Sequence, residues 1–479
     1  MISNKSKIFF INPNFNTISP YPGLEKKMDK EKIEQKVINQ ITPNKDIRKK
    51  IDNVVIELEK KIQSEIKNKN IKAQLELVGS IAKDTYLINN MDFDFFLVFP
   101  KDISKEEISK NALDIGKKIL KNTEESYAEH PYIRGYYKDF KIEIVPCYKI
   151  EKACQKISAV DRTPLHTEFI KKNLKEDQKK EVRLFKQFLK GINCYGAEAE
   201  IQGFSGYLCE IILLKYKDFN GILKNAYKWQ KGIKISLKPG NYQDFDSPLI
   251  FIDPVDSSRN VASAVSDKKF DLFVKACNEY IDKPRITFFY PNHVEPWKLE
   301  KIKEKIKKKD EYFFGIKIPK PEILSENLYP QIRKAARSIK ESCEREDFEI
   351  NNIKYHVKNG NIFFIIIVKN MILPDVKTHK GPPSKLKNNV DNFVSKYKNN
   401  SNVVRKPYEK DKRFYVDLKR EYIDIKIFLE ENIKDLSLGK SINKKVEKKY
   451  EILELDELII EDLRIFWTEY LDDKYSWER

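Results

Sequence analysis

Two acids two residues apart, Asp92 and Asp94 in the run MDFDFFLVFP (91–100), are the side chains best placed by type and spacing to do chemistry. In a strand, alternate residues point to one face, so both carboxylates project together while Phe93 and Phe95 turn to the other side. Paired carboxylates suit a hard divalent cation such as Mg²⁺, which takes one or two of them together with substrate phosphates. Just upstream, LELVGS ends in Gly79 and Ser80. Glycine lets the backbone approach a phosphate closely, and serine adds a hydroxyl and an N–H to hold it. An isolated D-x-D is more often the solvated face of an edge strand. Here, a β-run from Leu75 to Val78, the Gly-Ser pair, a short helical segment and a second β-run from Met91 to Phe99 must bring the phosphate-holding and metal-holding groups together.

A third acid lies in KIEIVPCY (141–148), where Ile142, Ile144 and Val145 surround Glu143. On a neighbouring strand it would complete a two-metal site. Pattern alone equally allows the polar side of an edge strand. In SAVDRTPLHTEFI (158–170), Thr163 stands as an N-cap with Pro164 at the first helical residue. Such a helix start suits a phosphate or a ribose. His166, taken alone, is an ordinary surface or core histidine. Lys186, in the helical EVRLFKQFLKG (181–191), is by itself a solvated lysine. Tyr195-Gly196 starts a turn, and GFSGYLCEIILLKY (203–216) another helix. FIDPVDSSRNVASAVS (251–266) reads as a strand ending at Asp253-Pro254, a turn, and a helix capped by Asp256 or Ser257 near Arg259.

The elements around these residues follow from periodicity. Ile47, Ile51, Val54, Val55, Leu58 and Ile62 recur at helical spacing after a cap at Thr42 or Asn44. The spacing predicts a further helix over 105–121 and a strand over 132–137. With 479 residues, the chain is long enough for about three domains. The net charge of +18 points either to a polyanionic partner or to a lysine-rich composition. Six cysteines form no C-x-x-C pair, which fits reduced thiols of a cytoplasmic protein. No apolar run suggests a membrane span or a leader. Residues 297–309 form a basic amphipathic segment, equally a solvated face or an RNA contact. Between 311 and 419 a β-α-β-β-α-β order is legible, the ferredoxin-like or RRM-like arrangement, with strands at 312–318, 348–357, 361–368 and 413–418 and helices at 328–342 and 390–397. VKTHKGPPSKL (376–386) is expected as a basic loop suited to phosphates. The remainder, 422–479, looks helical and ends in the aromatics Phe466, Trp467, Tyr470, Tyr475 and Trp477.

The Gly-Ser, helix and D-x-D arrangement resembles the nucleotidyltransferases related to DNA polymerase β. Together, GSIAKDT, MDFDFFLVFP, IEIVPCY, SAVDRTPLHTEFI, FLKGINCYGAEAEIQGFSGYLCE, DPVDSSRNVA and KTHKGPP resemble, in order, the class I (archaeal-type) CCA-adding enzymes, or tRNA nucleotidyltransferases. The resemblance covers the chain from about Thr42 to its end. Residues 1–30, polar with scattered Pro and Asn, are expected to form a poorly ordered extension outside it. The resemblance implies an α+β multidomain fold: a polymerase-β-like catalytic head (31–154), a helical, nucleotide-binding neck (155–268), and a tRNA-binding body and tail (269–479) containing the RRM-like unit.

By this resemblance Asp92, Asp94 and Glu143 would hold two Mg²⁺ ions. Gly79, Ser80 and Lys83, joined by Lys186 and Tyr195, would hold the triphosphate. Thr163 and His166 would contact the nucleotide sugar or phosphates, and Arg259 would help select C or A. Two residues depart from the family pattern: Lys83 stands where Arg is frequent, which would lose bidentate contacts but keep the charge, and Glu143 where Asp is common. The implied reaction adds C, C and A to the 3′ end of tRNA from CTP and ATP without a template, with Glu143 either ligand or proton acceptor. The implied partners are the acceptor stem and T-arm half of tRNA, with a homodimer left open. The alternatives are a poly(A) polymerase or another polymerase-β-like nucleotidyltransferase, and last a non-catalytic RNA-binding protein.

Overall fold

A computed structural model describes residues 30–127 and 130–479. The expected N-terminal extension therefore lies outside the described residues, apart from Lys30, which opens the first helix. The chain divides into two compact units: one runs to His293 and takes back Lys474–Arg479, and the other is Val294–Asp473.

In the first unit, α1 (Lys30–Ile41) and α2 (Lys45–Asn68) lead into β1 (Gln74–Val78), α3 (Gly79–Ala82) and β2 (Asp92–Phe99). Asn44 is the N-cap of α2, accepting from the Ile47 N–H at 2.8 Å. After α4 (Lys105–Ile119) come β3 (Lys121–Tyr127), β4 (Pro131–Tyr137) and β5 (Phe140–Tyr148). The sheet order is β1-β2-β5-β4-β3, with β2 and β5 parallel and the other pairs antiparallel. Phe93, Phe95, Leu97 and Phe99 of β2, with Ile142 and Ile144 of β5, face a core completed by Ile51, Val54, Leu58 and Ile62 of α2 and Ile108, Ala112 and Ile115 of α4. Burying each such large side chain stabilises by about 1.5–3 kcal/mol. A one-residue slip would carry all of them to the other face, so the alternation fixes Asp92, Asp94 and Glu143 opposite them.

The same unit continues through α5 (Thr163–Asn173), α6 (Glu176–Gly191), α7 (Gly206–Tyr216), α8 (Phe219–Ala226), a parallel pair β6 (Ile233–Ile235) and β7 (Leu249–Phe251), and α9 (Asp267–Asp282). These helices share one apolar core, which includes Ile33, Val37 and Ile41 of α1 and Phe273, Ala276, Cys277 and Tyr280 of α9. Residues 269–293, grouped by the sequence with the C-terminal part, thus belong to this unit. Two local expectations change. Arg162, not Thr163, occupies the cap position of α5, and Thr163 begins the helix itself. No helix follows Asp256 or Ser257. Residues 252–266 form a turn knit by Asn260, which accepts from Phe251 N and Ala262 N at 2.9 Å and donates to Leu249 O at 3.0 Å.

The second unit contains α10 (Leu299–Ile306), β8 (Tyr312–Pro319), α11 (Ser325–Arg345), β9 (Ile350–Lys358), β10 (Asn361–Val368), β11 (Val376–Pro383), α12 (Lys387–Tyr397), β12 (Val403–Lys410), β13 (Arg413–Lys419), α13 (Ile425–Asn432), α14 (Lys440–Val446) and β14 (Glu451–Leu453). The ferredoxin-like sheet is present, but its last parts are not those the sequence suggested. Its antiparallel order is β14-β8-β10-β9, so β14 is the fourth strand. The expected second helix and fourth strand, α12 and β13, belong to an insertion whose sheet runs β11-β13-β12. The supposed basic loop at 376–386 is mostly the edge strand β11. β10 reads as an unbroken apolar run because both its faces are covered: Phe364 and Ile366 enter one core, Phe363, Ile365 and Ile367 another. The C-terminal aromatics divide between the units. Trp467 packs edge-on against Phe313 in the second, while Trp477 stacks on Phe288 in the first. Among the described residues no helix is long and apolar enough to cross a membrane.

Candidate active site

Strand register builds the acidic end of the site. Val78 pairs with Asp94, Asp94 with Glu143, and Glu143 with Arg134, making one row across four strands. At the end of β1 the chain turns through Gly79 with φ +72°, and a Cβ there would lie 1.9 Å from Asp94 Oδ2. Beyond Asp94, Arg134 Nε donates to Glu143 Oε1 at 2.6 Å and its Nη2 to the Tyr132 hydroxyl at 2.8 Å. Lys141 Nζ lies 3.5 Å from Asp92 Oδ1 and 3.7 Å from Glu143 Oε1.

Burial, then the charges of Glu143 and Asp92, push the Asp94 carboxyl up to about 7. A cation bound between these carboxylates would relieve that repulsion. Among the described residues no three of His, Cys, Asp or Glu converge as a closed ligand set, and Glu143 is paired with Arg134. The donors nevertheless fit Mg²⁺, which needs only one or two protein carboxylates when phosphates supply the rest.

A second cluster joins the sheet to the helices beyond it. Lys83, just after α3, meets Glu210 of α7 with Nζ to Oε2 at 2.6 Å. The Thr85 hydroxyl donates to Glu210 Oε1 at 2.5 Å. Lys186 of α6 is not solvated: it is 1% exposed and donates to Thr85 O at 3.0 Å, to Thr85 Oγ1 at 3.2 Å and to Glu210 Oε1 at 3.3 Å. Burial alone would raise the Glu210 carboxyl, but Lys83 and Lys186 hold it below its ordinary value. Burial pulls the Lys186 ammonium down. A Cβ on Gly206, the first residue of α7, would lie 3.3 Å from the Tyr195 hydroxyl and 3.6 Å from Lys186 Nζ. The helix start, Tyr195 and Lys186 are therefore neighbours. One turn up α6, Arg183 donates from Nη2 to Asp84 O at 2.6 Å and from Nε to Tyr86 O at 3.1 Å, holding the loop that carries Thr85.

A third cluster gathers on Asp253, which is 1% exposed. His166 Nε2 lies 2.9 Å from its Oδ2, Arg259 Nη1 donates to the same oxygen at 2.9 Å, and the Tyr207 hydroxyl donates to Oδ1 at 3.1 Å. The His166 ring stacks on Tyr207 with centroids 4.1 Å apart. Burial lowers the His166 imidazole below its ordinary value, with Asp253 opposing. Thr163 begins α5 one turn before His166. Tyr207 connects this cluster to the previous one, because Lys83 Nζ lies 5.9 Å from its ring centroid.

The fold thus gathers the sequence-predicted residues into three adjoining groups: Asp92, Asp94 and Glu143 beside Gly79-Ser80; Lys83, Lys186 and Tyr195; and His166 with Arg259. Sequence reasoning missed the groups that hold them, namely Arg134, Thr85, Glu210, Arg183, Tyr207 and Asp253. Glu210 alone left a signal, as the single acid in the otherwise apolar YLCEIILL.

Comparison with known proteins matches residues 55–166 to the nucleotidyltransferase domain family, 180–290 to the second domain of tRNA nucleotidyltransferases, and 309–454 to the C-terminal domain of CCA-adding enzymes. The CCA-adding enzyme of Methanosarcina mazei is 32% identical over 92% of this chain and 98% of its own. That of Methanocaldococcus jannaschii is 35% identical over 88% and 96%, and that of Picrophilus torridus 35% over 86% and 92%. The three matched domains in order, with relatives of this identity over most of their length, show that the chain belongs to the CCA-adding enzymes.

Proposed function

We propose that this protein adds C, C and A in turn to the 3′ end of tRNA, using CTP and ATP and no nucleic-acid template. In each step the terminal 3′-hydroxyl attacks the α-phosphorus; the new O–P bond forms, the α–β phosphoanhydride bond breaks, and pyrophosphate leaves. The observation that best supports the reading is the row Val78, Asp94, Glu143, with Gly79 against Asp94, which sets a carboxylate pair at the mouth of a phosphate-approaching turn. Two divalent cations on Asp92, Asp94 and Glu143 would lower the pKa of the attacking hydroxyl and neutralise the triphosphate.

The remaining work falls to this chain's own side chains. Lys83 adds a cation for the triphosphate. The start of α7, with Ser205 as its cap, adds N–H groups and the positive end of a helix dipole. Arg259, anchored by Asp253, would help select C or A. Glu143 takes part as ligand once Arg134 yields it, or accepts the hydroxyl proton.

The test is incubation of tRNA lacking its CCA end with Mg²⁺, CTP and ATP. The expected product is three nucleotides longer and ends in CCA. An ATP-only ladder would identify a poly(A) polymerase instead, and undiminished extension by Asp94→Ala would overturn the assigned site.

A further inference from the structure

This inference rests on the reading above and concerns a residue outside the three acids. Residues paired directly across neighbouring strands share a face, so Asp94 on β2, Glu143 on β5 and Arg134 on β4 stand side by side on one surface of the sheet. Because β5 lies between β2 and β4, Glu143 has Asp94 on one flank and Arg134 on the other. Its carboxylate is engaged on the second flank. Oε1 accepts from Arg134 Nε at 2.6 Å, and Lys141 Nζ is 3.7 Å from the same oxygen.

Arg134 is itself held. Its Nη2 donates to the Tyr132 hydroxyl at 2.8 Å, and the centre of its guanidinium lies 5.5 Å from the Tyr132 ring centroid. With the Arg134 and Glu143 side chains 35% and 17% exposed, the pair is partly withdrawn from water, and a charge-assisted hydrogen bond this short belongs to the stronger class. A cation that takes Glu143 as a ligand therefore competes for a carboxylate that already has a partner. Asp92 has a looser neighbour, Lys141 Nζ at 3.5 Å. The acids are thus unequal: a cation arriving with a triphosphate can use the two aspartates, whereas one that also uses Glu143 meets a resident competitor.

We propose that Arg134 is a positioning residue: it competes with a divalent cation for the Glu143 carboxylate and so lowers the affinity of the metal position that uses the third acid. The methylene that distinguishes glutamate from aspartate adds a torsion by which the carboxylate serves either neighbour.

Mn²⁺ titration of the full chain, with free Mn²⁺ read by electron paramagnetic resonance and neither tRNA nor nucleotide present, tests this for wild type, Arg134→Gln, Glu143→Gln and the double variant. Arg134→Gln is expected to tighten Mn²⁺ binding about tenfold, equivalent to roughly 1.4 kcal/mol. Glu143→Gln removes the contested charge, so the double variant should bind Mn²⁺ no more tightly than Glu143→Gln alone. Arg134→Lys, which keeps the charge but not the Nε donor, runs the same cycle with a smaller gain should Arg134→Gln fail to fold. Unchanged, weaker or undetectable Mn²⁺ binding by Arg134→Gln would overturn the competition. So would an equal gain in the Glu143→Gln background, which marks a general effect of charge. The titration uses no tRNA, so a wild-type protein that fails to extend tRNA would overturn the proposed function by a separate measurement.

Discussion

Gly79 and Asp94 are in such close contact that no side chain fits between them: a Cβ on Gly79 would lie 1.9 Å from Asp94 Oδ2 and 3.3 Å from Asp94 Cβ. The contact arises because β1 and β2 pair Val78 with Asp94, and the chain then turns through a positive φ that glycine adopts without strain. The glycine therefore locates the carboxylate.

Gly79→Ala is expected to displace Asp94 and reduce kcat for nucleotide addition by about a hundredfold, the order of loss that a misplacement near 1 Å produces. The left-handed backbone costs alanine only about 1–2 kcal/mol, so the variant should still fold. Melting curves beside extension assays check both halves. Full activity in a folded Gly79→Ala protein would show that Asp94 need not be held there.

Asp94 also sets a pH dependence of stability in protein stripped of divalent metal. Its folded carboxyl is raised from 3.8 to about 7 by burial and by Glu143 and Asp92. The folded state thus favours the protonated form, and its contribution is fully present below pH 4 and lost as pH rises through 7. Asp94→Asn keeps the neutral form at every pH. Its gain should be about 4 kcal/mol at pH 8 and about 2 kcal/mol at pH 5, read by urea unfolding in chelator. A pH-independent difference would sink the explanation.

Arg183 is 2% exposed and bonds Asp84 and the carbonyls of Asp84 and Tyr86. Arg183→Met leaves those buried groups without their donor and should cost about 3 kcal/mol. Because Thr85 lies between the two carbonyls, KM for CTP should rise as well. A denaturation midpoint equal to wild type would show that the loop is held by other means.

How far these relationships could be read from the sequence depended on the range of the interaction. The acids, Gly79 and the β2 alternation were legible because strand periodicity is local. The pairing of Asp94 with Glu143 could be read only as one possibility, since the order β1-β2-β5-β4-β3 joins strands distant in the chain there; Arg134 was missed although it lies only nine residues from Glu143, across the β4–β5 hairpin. Lys186 looked solvated because its partners are distant in the chain: Glu210 is 24 residues away and Thr85 is 101. The ferredoxin-like order was legible through β10 and then went astray, because β14 has only three residues and an inserted sheet supplied a more conspicuous helix and strand. Helix α1 was not read from the sequence, although Ile33, Val37 and Ile41 recur at helical spacing in a charged stretch; its burial among the helices around α6 shows why they are apolar.

Asp253 offers the sharpest test of nucleotide choice. It anchors Arg259, whose side chain is 32% exposed, and His166, whose side chain is 13% exposed, through one shared oxygen. Burial, opposed by Asp253, already leaves the imidazole below its ordinary value. Removing the carboxylate charge lowers it further, so His166 stays neutral at pH 7 in the variant and the change falls on Arg259. Asp253→Asn should thus free the guanidinium without altering the acids of the sheet. Single-turnover reactions on tRNA ending in CC should then show C entering in place of A at the last position more frequently than in wild type. The rate with the first C should fall by less than about tenfold, the cost of one weakened contact of roughly 1.4 kcal/mol. If the C-to-A ratio at the last position is unchanged while both rates fall together, Asp253 supports the fold of the turn and Arg259 does not read the base.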